Sequence, residues 1–133
     1  MPFVLDASVA ASWAFADESA PIADSTYERI QNDHALVPSV WWFEVRNTLI
    51  IAERRARISA SETASFLRSL RRCGVTEDRA PVESDLLMFT RRHRLTVYDA
   101  AYLELAYRIG LELATLAGAL VKAARAEGVS LVV

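Results

Sequence analysis

The sequence predicts an α/β domain: a mostly parallel sheet of four to five strands, covered by helices on both faces. Short apolar or β-branched runs alternate with longer segments of helical period, the pattern of strands joined by helical crossovers. The helical segments carry readable start and stop residues. The 133 residues are 53% hydrophobic and 24% charged, with no repeat, linker or low-complexity stretch, as one globular domain over 1–133 requires.

The predicted strands are Phe3–Leu5, Ala35–Val37, a weak one near Val75, Leu111–Leu116 and Val129–Val133. Pro21 fits the first position of a helix running to about Asn32, since proline has no N–H to lose there. Ser39 is placed to cap a helix reaching about Arg55. Ser59 and Glu62 have the spacing of a capping box, and Gly74 is the expected stop of that helix. Pro81 opens the next helix, to His93. Thr96 precedes another, whose Tyr98, Ala101, Tyr102, Leu105 and Ile109 recur at helical spacing before Gly110. A last helix runs from about Gly118 to Glu127 and ends at Gly128.

Composition narrows the function. No apolar run has the ~20 residues of a membrane helix, and the N-terminus lacks a basic segment followed by an apolar one. Cys73 is the single cysteine, which excludes a disulfide framework and a cysteine metal site. These features point to the cytoplasm. Residues 1–45 carry seven acids against one base, and residues 46–94 carry eleven arginines against six acids. Only Lys122 among the bases is a lysine. Coding bias explains that preference as well as phosphate contact does, although the planar guanidinium suits phosphate better than an ammonium.

Three carboxylates stand out. Asp6 interrupts "FVLDASV" between two apolar runs, where a strand gives way to the next element. It is either a helix cap or part of a charged site, because ligands in parallel sheets bind beyond the carboxyl ends of the strands. Glu44, in "VPSVWWFEVRNTLI", shares a helical face with Val40, Trp41, Asn47, Thr48 and Ile51, a face expected to point inward. A buried carboxylate needs a partner, either an arginine or a bound cation. Asp99, in "RLTVYDAAYLELA", stands three residues after Thr96, the spacing of a reciprocal cap, and is flanked by Tyr98 and Tyr102. His34 and His93 have no metal-ligand spacing, and no nucleophile elbow, P-loop or dinucleotide fingerprint occurs. Converging carboxylates repel unless a cation sits among them, and hard oxygen donors suit Mg²⁺ or Mn²⁺. The matching chemistry is metal-assisted phosphodiester hydrolysis on a polyanionic substrate.

In order, "FVLDASV", "VPSVWWFEVRNTL", "LTVYDAAYLELA" and "LATLAGAL" followed by "GV" resemble the motifs of PIN-domain ribonucleases, most closely the VapC-type toxins of bacterial toxin–antitoxin pairs. The resemblance spans essentially the whole chain. It implies a three-layer α/β/α fold with strand order 3-2-1-4-5 and Mg²⁺- or Mn²⁺-dependent cleavage of RNA, for example tRNA or another structured RNA. It also implies a homodimer, a cognate antitoxin and no membrane. By motif, Asp6, Glu44 and Asp99 take the places of the family's first three acids, as catalytic residues and metal ligands. Ser8 and Thr115 match supporting polar positions.

The family's fourth acid is missing. Its phrase ends "ATLD", and here Ala117 stands in that place, with Glu112 toward the other end of the strand. Whether natural or introduced, the alanine implies impaired cleavage and a metal site short of one ligand. The alternative is a PIN-fold module that binds RNA or a partner without cutting. A phospho-acceptor receiver domain fits less well, because Asp6 has no acidic neighbour and Lys122 lies in a helix pattern.

Overall fold

A computed structural model describes residues 1–133. The strands are β1 (Phe3–Leu5), β2 (Ala35–Pro38), β3 (Val75–Asp78) and β4 (Glu112–Ala114). The helices are α1 (Ala7–Ser12), α2 (Pro21–Ile30), α3 (Val40–Arg54), α4 (Ala60–Leu70), α5 (Glu83–His93), α6 (Val97–Ile109) and α7 (Gly118–Ala126). The sheet is parallel throughout in the order β3-β2-β1-β4, so the fold is the expected three-layer α/β/α arrangement.

Phe3, Val4 and Leu5 are fully buried because β1 is central and covered on both faces. The edge strand β3, "VTED", keeps Thr76 and Glu77 exposed, which explains its weak sequence signal. A fifth strand at Val129–Val133 does not form. Leu131 makes one parallel bridge to Leu113, whose N–H donates to Ser130 O at 2.8 Å and whose carbonyl accepts from Val132 at 3.0 Å. That ladder extends no further. The strand expected over Leu111–Leu116 is likewise cut to Glu112–Ala114, because Thr115 and Ala117 bond to each other and turn the chain.

Pro21 is the first residue of α2, and Gly110 (φ 77°) and Gly128 (φ 75°) adopt the left-handed turn that stops α6 and α7. The Ser59–Glu62 box is complete: Glu62 N–H donates to Ser59 Oγ at 3.1 Å, and Ser59 N–H to Glu62 Oε1 at 3.0 Å. Three details differ from expectation. Ser39 already has helical backbone angles (φ −60°, ψ −27°), so its hydroxyl caps nothing. Gly74 is not a helix stop; α4 ends at Leu70, and glycine serves close approach, since a Cβ would lie 3.1 Å from His34 Nδ1. Pro81 lies before α5, which starts at Glu83.

The core centres on β1, β4 and α6, with Tyr102, Phe3, Phe89 and Leu49 among its largest fully buried side chains. Within it lies one charged cluster. Glu104, 1% exposed, accepts from Arg108 Nε at 2.7 Å and from Val82 N–H at 3.3 Å, and Arg108 also reaches Asp78 Oδ1 at 3.0 Å. This clamp ties α6 to the end of β3. No helix is long and apolar enough to cross a membrane.

Candidate active site

Asp6 follows the last residue of β1, and its N–H extends the ladder to Ala114 O at 2.9 Å. It occupies the N-cap position of α1, yet its side chain makes no capping bond; its backbone carbonyl takes the N–H groups of Val9 and Ala10 instead. The carboxylate has other partners. Oδ2 accepts from Ser8 Oγ at 2.8 Å and from Thr115 Oγ1 at 2.6 Å. Each hydroxyl is itself oriented, because Ser8 Oγ accepts from Leu116 N–H at 3.1 Å and Thr115 Oγ1 from Ala117 N–H at 3.0 Å. Asp6 is 4% exposed, and Oδ1 carries no hydrogen bond while keeping some access to solvent. One oxygen is therefore fixed and the other left open.

Glu44 lies at the margin of α3. The buried stripe of that helix is Trp41, Val45, Leu49 and Ala52, while Asn47, Thr48 and Ile51 are exposed. The expected inward face is thus a rim, and Glu44 is half-buried on it. Its Oε1 accepts from the Tyr102 hydroxyl at 2.5 Å. Burial pushes the Glu44 carboxyl above its ordinary pKa, against the opposing Tyr102 bond, and the charges of Asp6 and Asp99 add to the rise. Burial, then the charge of Asp6 and the bond to Glu44, keep the Tyr102 phenol protonated.

Asp99 sits in the first turn of α6. Its N–H donates to Thr96 Oγ1 at 3.1 Å, which is half of the expected reciprocal cap. The carboxylate returns no bond to Thr96 and remains without a hydrogen-bond partner. Burial and then the charge of Asp6 raise its pKa. Of its flanking tyrosines only Tyr102 points inward; Tyr98 is 60% exposed.

The three acids are thus electrostatic neighbours, with Asp6 common to both others. No arginine or lysine pairs with any of them. They do not close into a tight three-ligand cage. Glu112 is remote, paired in register with Phe3 and held by Arg29 at 2.9 Å. Ala117 is the N-cap residue of α7, and its N–H orients the threonine that holds Asp6. Tyr102, which reads from the sequence only as core, is the residue that holds Glu44. The signal was available: a buried tyrosine hydroxyl needs a partner. Unpaired oxygen donors sharing uncompensated negative charge fit a hard divalent cation that retains some of its waters.

Residues 3–125 match the family model described as PIN domain. The chain is 32% identical over 119 residues to Ribonuclease VapC3 of Pyrobaculum aerophilum, covering 87% of this chain and 89% of that protein. The crystal structure of PAE2754 from Pyrobaculum aerophilum superposes with a TM-score of 0.69 at 24% identity, over 92% of this chain and 79% of that one, a likeness of fold. With Asp6 at the end of the central strand and these matches along nearly its full length, the chain belongs to the PIN-domain family, alongside its VapC-type members.

Proposed function

We propose that the chain is a cytoplasmic, Mg²⁺- or Mn²⁺-dependent endoribonuclease, the toxin of a toxin–antitoxin pair. The observation that carries this reading is Asp6, held on one oxygen by Ser8 and Thr115 and open on the other, beside Glu44 and Asp99 with no cationic residue among them. The similarity to a protein named as a ribonuclease supports the substrate class. Asp6 and Asp99 would hold the ion, with Glu44 reached directly or through water. When bound, the ion polarises a phosphate oxygen and lowers the pKa of a water. The protein's own contribution is positional. Ser8 and Thr115 fix the rotamer of Asp6, and Tyr102 fixes one oxygen of Glu44.

Ala117 limits this site. A methyl group neither ligates a cation nor orients a water, so cleavage by this chain is weak. The second reading, a PIN-fold module that binds RNA or a protein without cutting, rests on that residue alone. Retention of Asp6, Glu44 and Asp99 favours the nuclease.

The proposed assembly is a homodimer with a cognate antitoxin. Trp41 is core (6% exposed), but Phe43 is 68% exposed and shares an exposed stripe of α3 with Ile50. That stripe is the proposed dimer interface. A cavity of about 230 Å³ between the starts of α3 and α6, lined in part by Val40, Leu86, Val97 and Tyr98, is the proposed seat of an antitoxin segment. Incubating a structured RNA with the chain and Mn²⁺, with and without chelator, tests the nuclease reading. Cleavage that survives the chelator contradicts it.

A further inference from the structure

On the flank of α3 away from Glu44, the edge of the sheet and α4 enclose a second cavity of about 220 Å³. Its lining is mainly apolar and includes Trp41, Trp42, Leu67 and Val75, with Arg46 and Arg71 as its cations. Neither arginine forms an ion pair, and the acid on the rim, Glu77, is bound by Arg79 at 3.2 Å. The Arg46 guanidinium lies over the Trp42 ring, 3.8 Å from its centre, and Nη1 donates to Trp42 O at 3.1 Å. Phe43 packs edge-on against Trp42 at 5.0 Å and fixes the ring, which stays half-exposed. Trp41, on the same wall, buries its indole N–H without a partner.

Two guanidinium groups free of any ion pair, beside a fixed, flat aromatic ring, suit a ligand that pairs an anion with a planar ring. An acidic peptide would answer the arginines but offer no flat group to the Arg46–Trp42 stack. A nucleotide answers both, its phosphate taken by the planar fork of arginine and its base laid against the Arg46–Trp42 stack. The positions agree with this. Trp42 and Arg46 stand two residues before and after Glu44, about 3 Å along the axis in either direction. The cradle and Glu44 thus lie at one level of α3, separated by a helix roughly 10 Å across.

We propose that Arg46, Arg71 and Trp42 form a subsite for a nucleotide flanking the cleaved bond of a single-stranded RNA segment. This rests on the ribonuclease reading. The subsite draws the strand across the N-terminal turn of α3, and it sets which nucleotides enter the acids.

The test is equilibrium binding of a labelled single-stranded oligoribonucleotide to the full chain in chelator, across a salt series, with an Asp- and Glu-rich peptide as competitor. Thermal unfolding of each variant establishes that it is folded. Arg46→Ala combined with Arg71→Ala is expected to weaken binding at least tenfold and to flatten the salt dependence by about 0.7 in log–log slope for each phosphate no longer neutralised. Trp42→Ala is expected to weaken binding about tenfold with the slope unchanged, the signature of a missing stacking partner. Arg46→Lys should retain the slope and lose part of the affinity. Unchanged affinity and slope in both alanine variants, with RNA still bound, overturn the subsite and leave the ribonuclease reading standing. Failure of the unaltered chain to bind RNA overturns both. Displacement of the RNA by the acidic peptide, abolished when the arginines are removed, assigns the cradle to a protein partner and overturns the subsite.

Discussion

Thr115 donates its hydroxyl proton to Asp6 Oδ2 at 2.6 Å, joining residues 109 positions apart. The same hydroxyl accepts the N–H of Ala117, so its proton has one direction to go. The bond locks the carboxylate at the end of the central strand to the turn after β4. Thr115→Val keeps the shape and removes the donor. It is expected to destabilise the protein by roughly 1.5–3 kcal/mol, the range for hydrogen bonds to charged groups. Mn²⁺ affinity should fall about 10- to 100-fold, as for other groups that orient a ligand. Chemical denaturation and Mn²⁺ titration check the two effects.

Metal and pH should act on stability together. Glu44 and Asp99 have native pKa values above their unfolded ones, from burial first and neighbouring charge second. The folded state therefore holds more protons across that interval, and metal-free stability gains from this pair as pH falls through it. Asp78 acts in the opposite sense. The Arg108 bond lowers its pKa, so its contribution is present above the unfolded value of ~4 and is lost as pH falls through the lowered one. A cation binding ionised acids should raise Tm at pH 7 and much less near pH 4. Differential scanning fluorimetry with and without Mn²⁺ measures this. Equal shifts at both pH values contradict a carboxylate site.

Arg108→Ala leaves the carboxylate of Glu104, 1% exposed, with only the Val82 N–H. Removing one partner of a buried pair costs about 3–5 kcal/mol. Arg108 is itself a quarter exposed, so roughly 2–3 kcal/mol is expected. Urea denaturation checks it, and RNA binding should survive in the fraction that stays folded.

Phe43→Glu, on the exposed stripe of α3, is expected to shift a dimer to monomer at micromolar concentration while leaving Tm within a few degrees. Sedimentation velocity reads this directly. A monomer before the substitution rules out the dimer.

Local signals carried much of the fold. The capping box, Pro21, Gly110 and Gly128 act within a turn of their own positions, so the sequence shows them. Asp6 was visible because a carboxylate between two apolar runs is costly without a purpose. Its partner Thr115 was reached only through the family resemblance, and the Tyr102–Glu44 bond not at all, since both depend on chain segments brought together by the sheet. Gly74 reads as a helix stop from its neighbours, and its real constraint is His34, forty residues earlier. The fifth strand failed for a related reason. "VSLVV" has strand character, but only Leu113 offers it both backbone groups.

The most direct measurement is single-turnover cleavage of a structured RNA by the chain, by Ala117→Asp and by Ala117→Asp combined with Asp6→Ala, each with Mn²⁺ and with chelator. Position 117 is the N-cap of α7, where an aspartate is favoured by the free N–H groups and the helix dipole, so the substitution should also add about 1 kcal/mol of stability. Ala117→Asp is predicted to cleave about 10²- to 10⁴-fold faster than the chain with alanine there, the usual worth of one acid–base or electrostatic group. Asp6→Ala or chelator is predicted to abolish the gain. Equal rates for the chain and Ala117→Asp, or cleavage that persists without Asp6, would contradict a carboxylate-held cation as the centre of this site.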